Sequence, residues 1–132
     1  TDAVNGAQLY AVAGQNDAAY VAQNGRGLRY ARSNETGLAE ADAHAQGVGS
    51  SAVGYNATAS AENAVALGRD SVAGHANSVA IGAGSATTVG AQSGYNAAFV
   101  GSSSSTGQVQ VGGRTIGGVA AGSAGDDAVN VA

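Results

Sequence analysis

Residues 43–91, cut every seven residues, read AHAQGVG, SSAVGYN, ATASAEN, AVALGRD, SVAGHAN, SVAIGAG and SATTVGA. The first position of each heptad is Ala or Ser, and Ala fills the third in six of the seven. The last position runs Gly49, Asn56, Asn63, Asp70, Asn77, Gly84 and Ala91. Most of these residue types tolerate left-handed or turn backbone, so Asn56, Asn63, Asp70, Asn77 and Gly84 are expected to be the repeat turns. Gly47, Gly54, Gly68 and Gly82 recur in the fifth position.

A period of seven suits a coiled coil, but Gly and Asn in nearly every heptad would melt a helix. Within a heptad the apolar residues alternate instead. Val65/Leu67 and Val79/Ile81 are i, i+2 pairs, which points to short strands between tight turns. These pairs fall in every second heptad, so the structural repeat is a double heptad. The pattern predicts an all-β solenoid, a β-roll of about three and a half turns with rungs roughly 4.8 Å apart. Val53, Val65, Leu67, Val79 and Ile81 are expected to point inward as its core. The Ala-rich third positions are expected on the opposite face, where small side chains permit close packing of another chain. A core this thin predicts an obligate oligomer.

Composition agrees with a closely spaced, repeated backbone. The 132 residues include 22 Gly, one Phe (Phe99), and no Pro, Cys, Met or Trp. That is too few large side chains for an ordinary core and too little charge for a disordered chain. The net charge of −4, with all five basic residues Arg, argues against a nucleic-acid partner. Without Cys there is neither a disulfide scaffold nor a thiolate metal site. No apolar run reaches membrane-spanning length.

The two ends carry one motif: residues 1–7 read TDAVNGA and residues 126–132 read DDAVNVA. This predicts a unit excised from a longer tandem protein. Residues 1–24 are expected to form a short coiled-coil helix, capped by Thr1 or Asp2 and with Leu9, Val12, Asn16 and Ala19 along its seam. Residues 25–42 form a connector, 43–100 the roll, 101–113 a loop and β-strand, and 114–132 a neck. Within these, Gly101–Gly107 is expected to be a flexible loop and Gln108–Val111 a strand.

Candidate chemistry is sparse. His44 and His75 occupy different heptad positions, so no column of metal ligands forms. Gly82-Ala83-Gly84 precedes no helix and is no dinucleotide fingerprint. The calcium nonapeptide pattern is missing, since Asp70 alone falls in a repeat turn. No Ser/His/acid arrangement stands out, and nothing implies a cofactor or an enzyme. Arg26, Arg29 and Arg32 lie close to Glu35, Glu40 and Asp42 and are expected to form ion pairs between chains. Asn34-Glu35-Thr36 and Asn56-Ala57-Thr58 fit the glycosylation sequon, with a structural reading preferred. Tyr55 and Tyr95, each in Gly-Tyr-Asn, are expected to pack.

These residues resemble the trimeric autotransporter adhesins with YadA-like heads. Asn77-Ser78-Val79-Ala80-Ile81-Gly82 matches the family's head-repeat motif, and Asn63-Ala64-Val65-Ala66-Leu67-Gly68 is a close variant. Arg114–Ala132 resembles the family's neck, with Asp127, Val129 and Asn130 in its terminal motif. Thr1–Tyr10 resembles the helical exit of a preceding neck, and residues 28–49 a coiled-coil-to-head connector. The resemblance implies a left-handed parallel β-roll and a homotrimer on the bacterial cell surface. It also implies a signal peptide and an outer-membrane β-barrel anchor outside these residues. The implied function is multivalent attachment to host cells or extracellular-matrix proteins, and the alternative is a spacer in the fibre. Collagen binding by some members goes with several head motifs, whereas this chain has one full match, one variant and one degenerate copy (Ser50–Gly54). Two other solenoid classes fit poorly. A hexapeptide acyltransferase has a period of six, and an ice-binding face would need a Thr column that Thr58, Thr87 and Thr88 do not make.

Overall fold

The structure, a computed structural model, describes residues 3–131. Two short helices open it, α1 (Gly6–Ala13) and α2 (Ala18–Asn24), and the regular elements that follow are all strands. Asn5 caps α1: its side chain accepts from the Gln8 amide, and the Gln8 side chain accepts in return from the Asn5 amide, each at 2.9 Å. This reciprocal pair satisfies two donors that a helix start would otherwise leave bare. The anticipated caps Thr1 and Asp2 lie outside the described residues. One continuous helix was expected, but Gly14 ends α1 at φ 69 and Asp17 restarts the chain as the cap of α2. Two short strands, β1 (Arg26–Leu28) and β2 (Ala31–Ser33), then fold back antiparallel in the connector.

Two parallel ladders follow. The first contains β3 (His44–Ala45), β5 (Thr58–Ala59) and β7 (Val72–Ala73), with Ala86 bridging to Val72. The second contains β4 (Ser51–Val53), β6 (Val65–Leu67), β8 (Val79–Ile81) and β11 (Val109–Gln110). Ser51 faces Val65 and Val65 faces Val79, a register step of two heptads that the first ladder repeats from His44 to Thr58 to Val72. The chain thus alternates between the ladders, laying one heptad on each.

The side chains face the opposite way from the expectation. The residues buried between the ladders are Ala57, Ala59, Ala64, Ala66, Ala73 and Ala80, together with Ser71, Ser78 and Ser85. These are the first and third heptad positions. Val53, Leu67 and Ile81 point outward and are 54%, 44% and 41% exposed, while Val65 and Val79 are half-buried on the same outer face. The reason is spacing. Successive strands of the two ladders approach within 8 Å between Cα atoms, closer than the roughly 10 Å at which sheets pack through large side chains. A gap that narrow admits a methyl or a hydroxymethyl group and excludes an isobutyl group. The buried serines keep their hydroxyls satisfied locally. Ser71 donates to the Gly68 carbonyl at 2.8 Å and Ser85 to that of Ile81 at 2.7 Å.

At the corners Asn56, Asn63, Asp70 and Asn77 adopt φ between 53° and 58°, and Gly84 adopts 71°. Asn is among the residues that enter this region readily, because its short amide bonds locally. Here the amides also stack. Asn56 Nδ2 donates to Asp70 Oδ1 at 2.8 Å and Asn63 Nδ2 to Asn77 Oδ1 at 3.2 Å, each linking one rung to the next. Glycine serves a second purpose at Gly54 and Gly68, where a Cβ would sit 2.9 Å from the carbonyl carbon of the glycine one rung on.

Between β8 and β11 the chain leaves the ladders as an antiparallel hairpin, β9 (Gln92–Ala97) and β10 (Gly101–Ser105). Residues 92–105 were divided between the roll and a flexible Gly101–Gly107 loop. The structure makes the serines a strand, with Ser102 facing Asn96 and Ser103 facing Tyr95. Main-chain pairing with β9 overrides their low strand propensity. Past β11 the chain runs without regular strands to Val131.

Candidate functional site

No compact reaction centre emerges. Among the described residues no group of three or more His, Cys, Asp or Glu could hold a metal ion. His44 stands exposed on the first rung, whereas His75 sits two rungs on with Nδ1 2.8 Å from Thr87 Oγ1. Thr87 also accepts from the Gly74 amide at 3.1 Å, so this contact pins a corner of the roll. Among the described residues no helix is long and apolar enough to cross a membrane.

The arginines of the connector work within the chain. Arg26 pairs with Glu35 of the same chain at 3.0 Å. Arg29 donates to the Tyr10 carbonyl at 2.7 Å, with its guanidinium 5.0 Å from the Tyr10 ring centroid. Arg32 donates to the Ala13 carbonyl at 2.8 Å and to Asn16 Oδ1 at 3.0 Å, and stacks over Tyr20. Both therefore satisfy the carbonyls at the end of α1, where a cation also complements the helix dipole. Asn16 is occupied by Arg32 and by the Ala13 carbonyl at 3.0 Å. The three arginines read in sequence as a charge cluster. In space two of them are helix caps.

Arg114 was passed over in sequence and holds the far end of the ladders. Its Nη1 donates to Ser85 Oγ at 3.2 Å and the Val111 carbonyl at 3.0 Å, and its Nη2 to the Ala83 carbonyl at 2.9 Å. Gly82 leaves room for it, since a Cβ there would lie 2.7 Å from the guanidinium. Past the ladders Asp127 accepts from the amides of Ser123 and Ala124 at 2.8 and 2.9 Å. Those two N–H groups favour the carboxylate and hold Asp127 below the ordinary aspartate value, Ala124 contributing most. Asn130 Nδ2 donates to the Val119 carbonyl at 3.0 Å, and Val129 is exposed. Tyr55 donates its hydroxyl to the Ala39 carbonyl under the Arg69 guanidinium, tying the connector to the first rungs.

What the structure offers to another molecule is surface. The outer face of the second ladder carries two aliphatic columns, Val53/Leu67/Ile81 and Val65/Val79/Val109. The outer face of the first ladder carries His44, Thr58, Val72 and Ala86 instead. A second apolar surface lies on the helices, where Leu9 and Val12 are exposed beside an open concavity of about 670 Å³ lined by Tyr10, Ala13, Asn16 and Val21. Contiguous exposed apolar columns mark interaction surfaces in soluble chains. The alternating pattern that located them in sequence was sound, but periodicity alone does not tell the inner face from the outer one.

Comparison with known proteins bears on what kind of surface this is. The YadA head domain repeat matches twice, over residues 45–71 and 61–85. The autotransporter adhesin EhaG of Escherichia coli O157:H7 is 48% identical over an alignment of 73 residues, taking in 45% of this chain. The aligned region spans only 5% of that relative's length. Among solved structures, the C-terminal YadA-like domain of a Burkholderia pseudomallei protein superposes with a TM-score of 0.50 at 28% identity, over 99% of this chain and 76% of that one.

Proposed function

We propose that this chain is a head segment of the trimeric autotransporter adhesin kind, and that three copies assemble through the aliphatic face of the second ladder to form a multivalent adhesive unit. The observation that carries the reading is the inversion of the core. Val53, Leu67 and Ile81 form an exposed column on a chain whose own interior is alanine and serine. In this reading Val53, Val65, Leu67, Val79 and Ile81 are core residues after all, of the homotrimer and not of the chain. The helical surface at Leu9 and Val12 extends the same interface as a short coiled coil. The roll is left-handed, and its Asn and Asp corners keep the rungs in register. Asp127, Val129 and Asn130 belong to the neck that passes into the next stalk.

The host side of the reading is a matrix protein or a cell surface. Weak contacts repeated on three chains would add through effective concentration. The protein would stand outside the bacterial outer membrane, anchored by a part beyond these residues. Two measurements test this. Sedimentation equilibrium should return three times the chain mass. Surface binding to immobilised collagen, fibronectin and laminin should be lost when Leu67 and Ile81 are both replaced by Asn. A monomer that binds as well as the parent would end the proposal, and a trimer that binds none of the three would reduce the segment to a spacer.

A further inference from the structure

The hairpin β9–β10 is an excursion that the ladders do not use. A double-heptad step from Val79 would set the next rung at Ser93, yet the residue that faces Val79 is Val109. The chain from Ser93 to Gln108 is therefore surplus to the stack. The strands within it pair only with each other, leaving one bare edge on each. A lone two-stranded hairpin is marginal in water, and exposed edges are normally blunted by charge, by proline or by a cover. None of these blunts this hairpin within the chain. No Asp, Glu, Lys or Arg occurs between Asp70 and Arg114, there is no Pro, and all of β9 but Ala97 is exposed. At the tip Phe99 holds φ 65 with its side chain fully exposed, beside an exposed Val100. A bulky residue rarely adopts that backbone, and strain of this kind collects where a chain recognises something. The stem itself is Gln, Ser, Gly, Tyr and Asn, a composition shared with recognition loops that need adaptable hydrogen bonding.

We propose that this hairpin is a strand-accepting arm: an extended, uncharged polypeptide segment pairs with the free edge of β9 and sets an apolar side chain against Phe99 and Val100. The absence of charge leaves an acidic peptide, a nucleic acid or an anionic lipid nothing to pair with. A bare main-chain edge is complementary to another extended main chain. The inference goes beyond the trimeric-head reading, because edge pairing by one hairpin requires neither the trimer nor a matrix ligand.

The test uses the full chain and a labelled Thr-Val-Thr-Val-Thr-Val peptide, with a second version N-methylated at every amide. Methylation removes the donors of both edges and leaves the side chains unchanged. The parent chain should bind the first peptide and lose at least about tenfold in affinity for the second. Phe99→Ser should weaken binding of the first peptide about tenfold, whereas Phe99→Tyr should retain it. Equal affinity for the two peptides, or binding of neither, would overturn the proposal. Hydrogen exchange without peptide adds an independent check. If the outward amides of residues 92–97 are already protected, a second copy covers the edge and the arm is not free to accept a partner.

Discussion

The two ladders share one interior but differ on their outer faces. Inward, both present alanine and serine, rung after rung. Outward, the second presents Val53, Leu67, Ile81, Val65 and Val79, while the first presents His44, Thr58, Val72 and Ala86. The interior is set by how closely two strands of one chain approach, so it is the same on every rung. The outer faces are free of that limit, so they diverge. Constancy across the repeats therefore marks the inside of this molecule, and variation in size marks the outside.

The contrast is broken most severely from within. Ala66→Leu places three extra carbons where Ala66 is fully buried between the ladders. Overpacking of a tight core costs about 1–3 kcal/mol and occasionally more. The expected outcome is loss of the cooperative thermal transition by circular dichroism. Leu67→Ala, one residue along and on the outer face, should leave the secondary structure intact. If Ala66→Leu melts like the parent, the interior is wider than the structure shows.

On the outer face the expected effect is on association. Replacing Leu67 and Ile81 together by Asn removes two large apolar contacts from each copy, roughly 1.5–3 kcal/mol per side chain when fully buried. The assembly should dissociate at micromolar concentration by sedimentation velocity. Thr58→Asn on the face of the first ladder is the matched control and should leave the mass unchanged. Dissociation by the control alone would assign the interface to the wrong ladder.

A corner residue should matter less than either face. Asn63 combines φ 56 with the 3.2 Å bond to Asn77. Asn63→Ala loses both the amide ladder and the favourable left-handed backbone, at about 1–2 kcal/mol by chemical denaturation. Asn63→Gly restores the backbone alone and should recover part of that loss. If the two variants are equally stable, the backbone conformation contributes nothing at this corner.

Much of this was legible in the sequence. The period of seven, its doubling and the corners at Asn56, Asn63, Asp70 and Asn77 could all be read from residue types, because turn backbone is a local property. The facing of the strands could not be read so directly. Val65-Ala66-Leu67 alternates equally well with either face inward, and the usual preference for burying the larger side chain chose wrongly. The signal that could have decided it was the restriction of the first position to Ala or Ser. The roles of Arg29, Arg32 and Arg114 were hidden because their acceptors are backbone carbonyls reached only on folding. The β9–β10 hairpin was hidden by its serines, which seldom form strands unaided.

The smallest effect lies outside both ladders, in residues 112–131, where none of the described residues is buried and the contrast of inner and outer faces no longer applies. Asp127 accepts from the Ser123 and Ala124 amides, and its folded pKa is lowered from the ordinary 3.8 chiefly by Ala124 and then by Ser123. A depressed carboxyl contributes stability that is present above its unfolded value and is lost as pH falls through the lower folded value. The turn at residues 123–127 should thus stay intact at pH 5 and open only below about pH 3.8, while the buried alanines between the ladders, which touch no part of that turn, should not respond. Amide chemical shifts of Ser123 and Ala124 should move together in that window, and those of Ala66 and Ala80 should not. Asp127→Asn should abolish the titration, because the amide still offers an acceptor but does not ionise in this range. If Ser123 and Ala124 instead titrate above 3.8, the amides are not holding the carboxylate and the turn is maintained by something else.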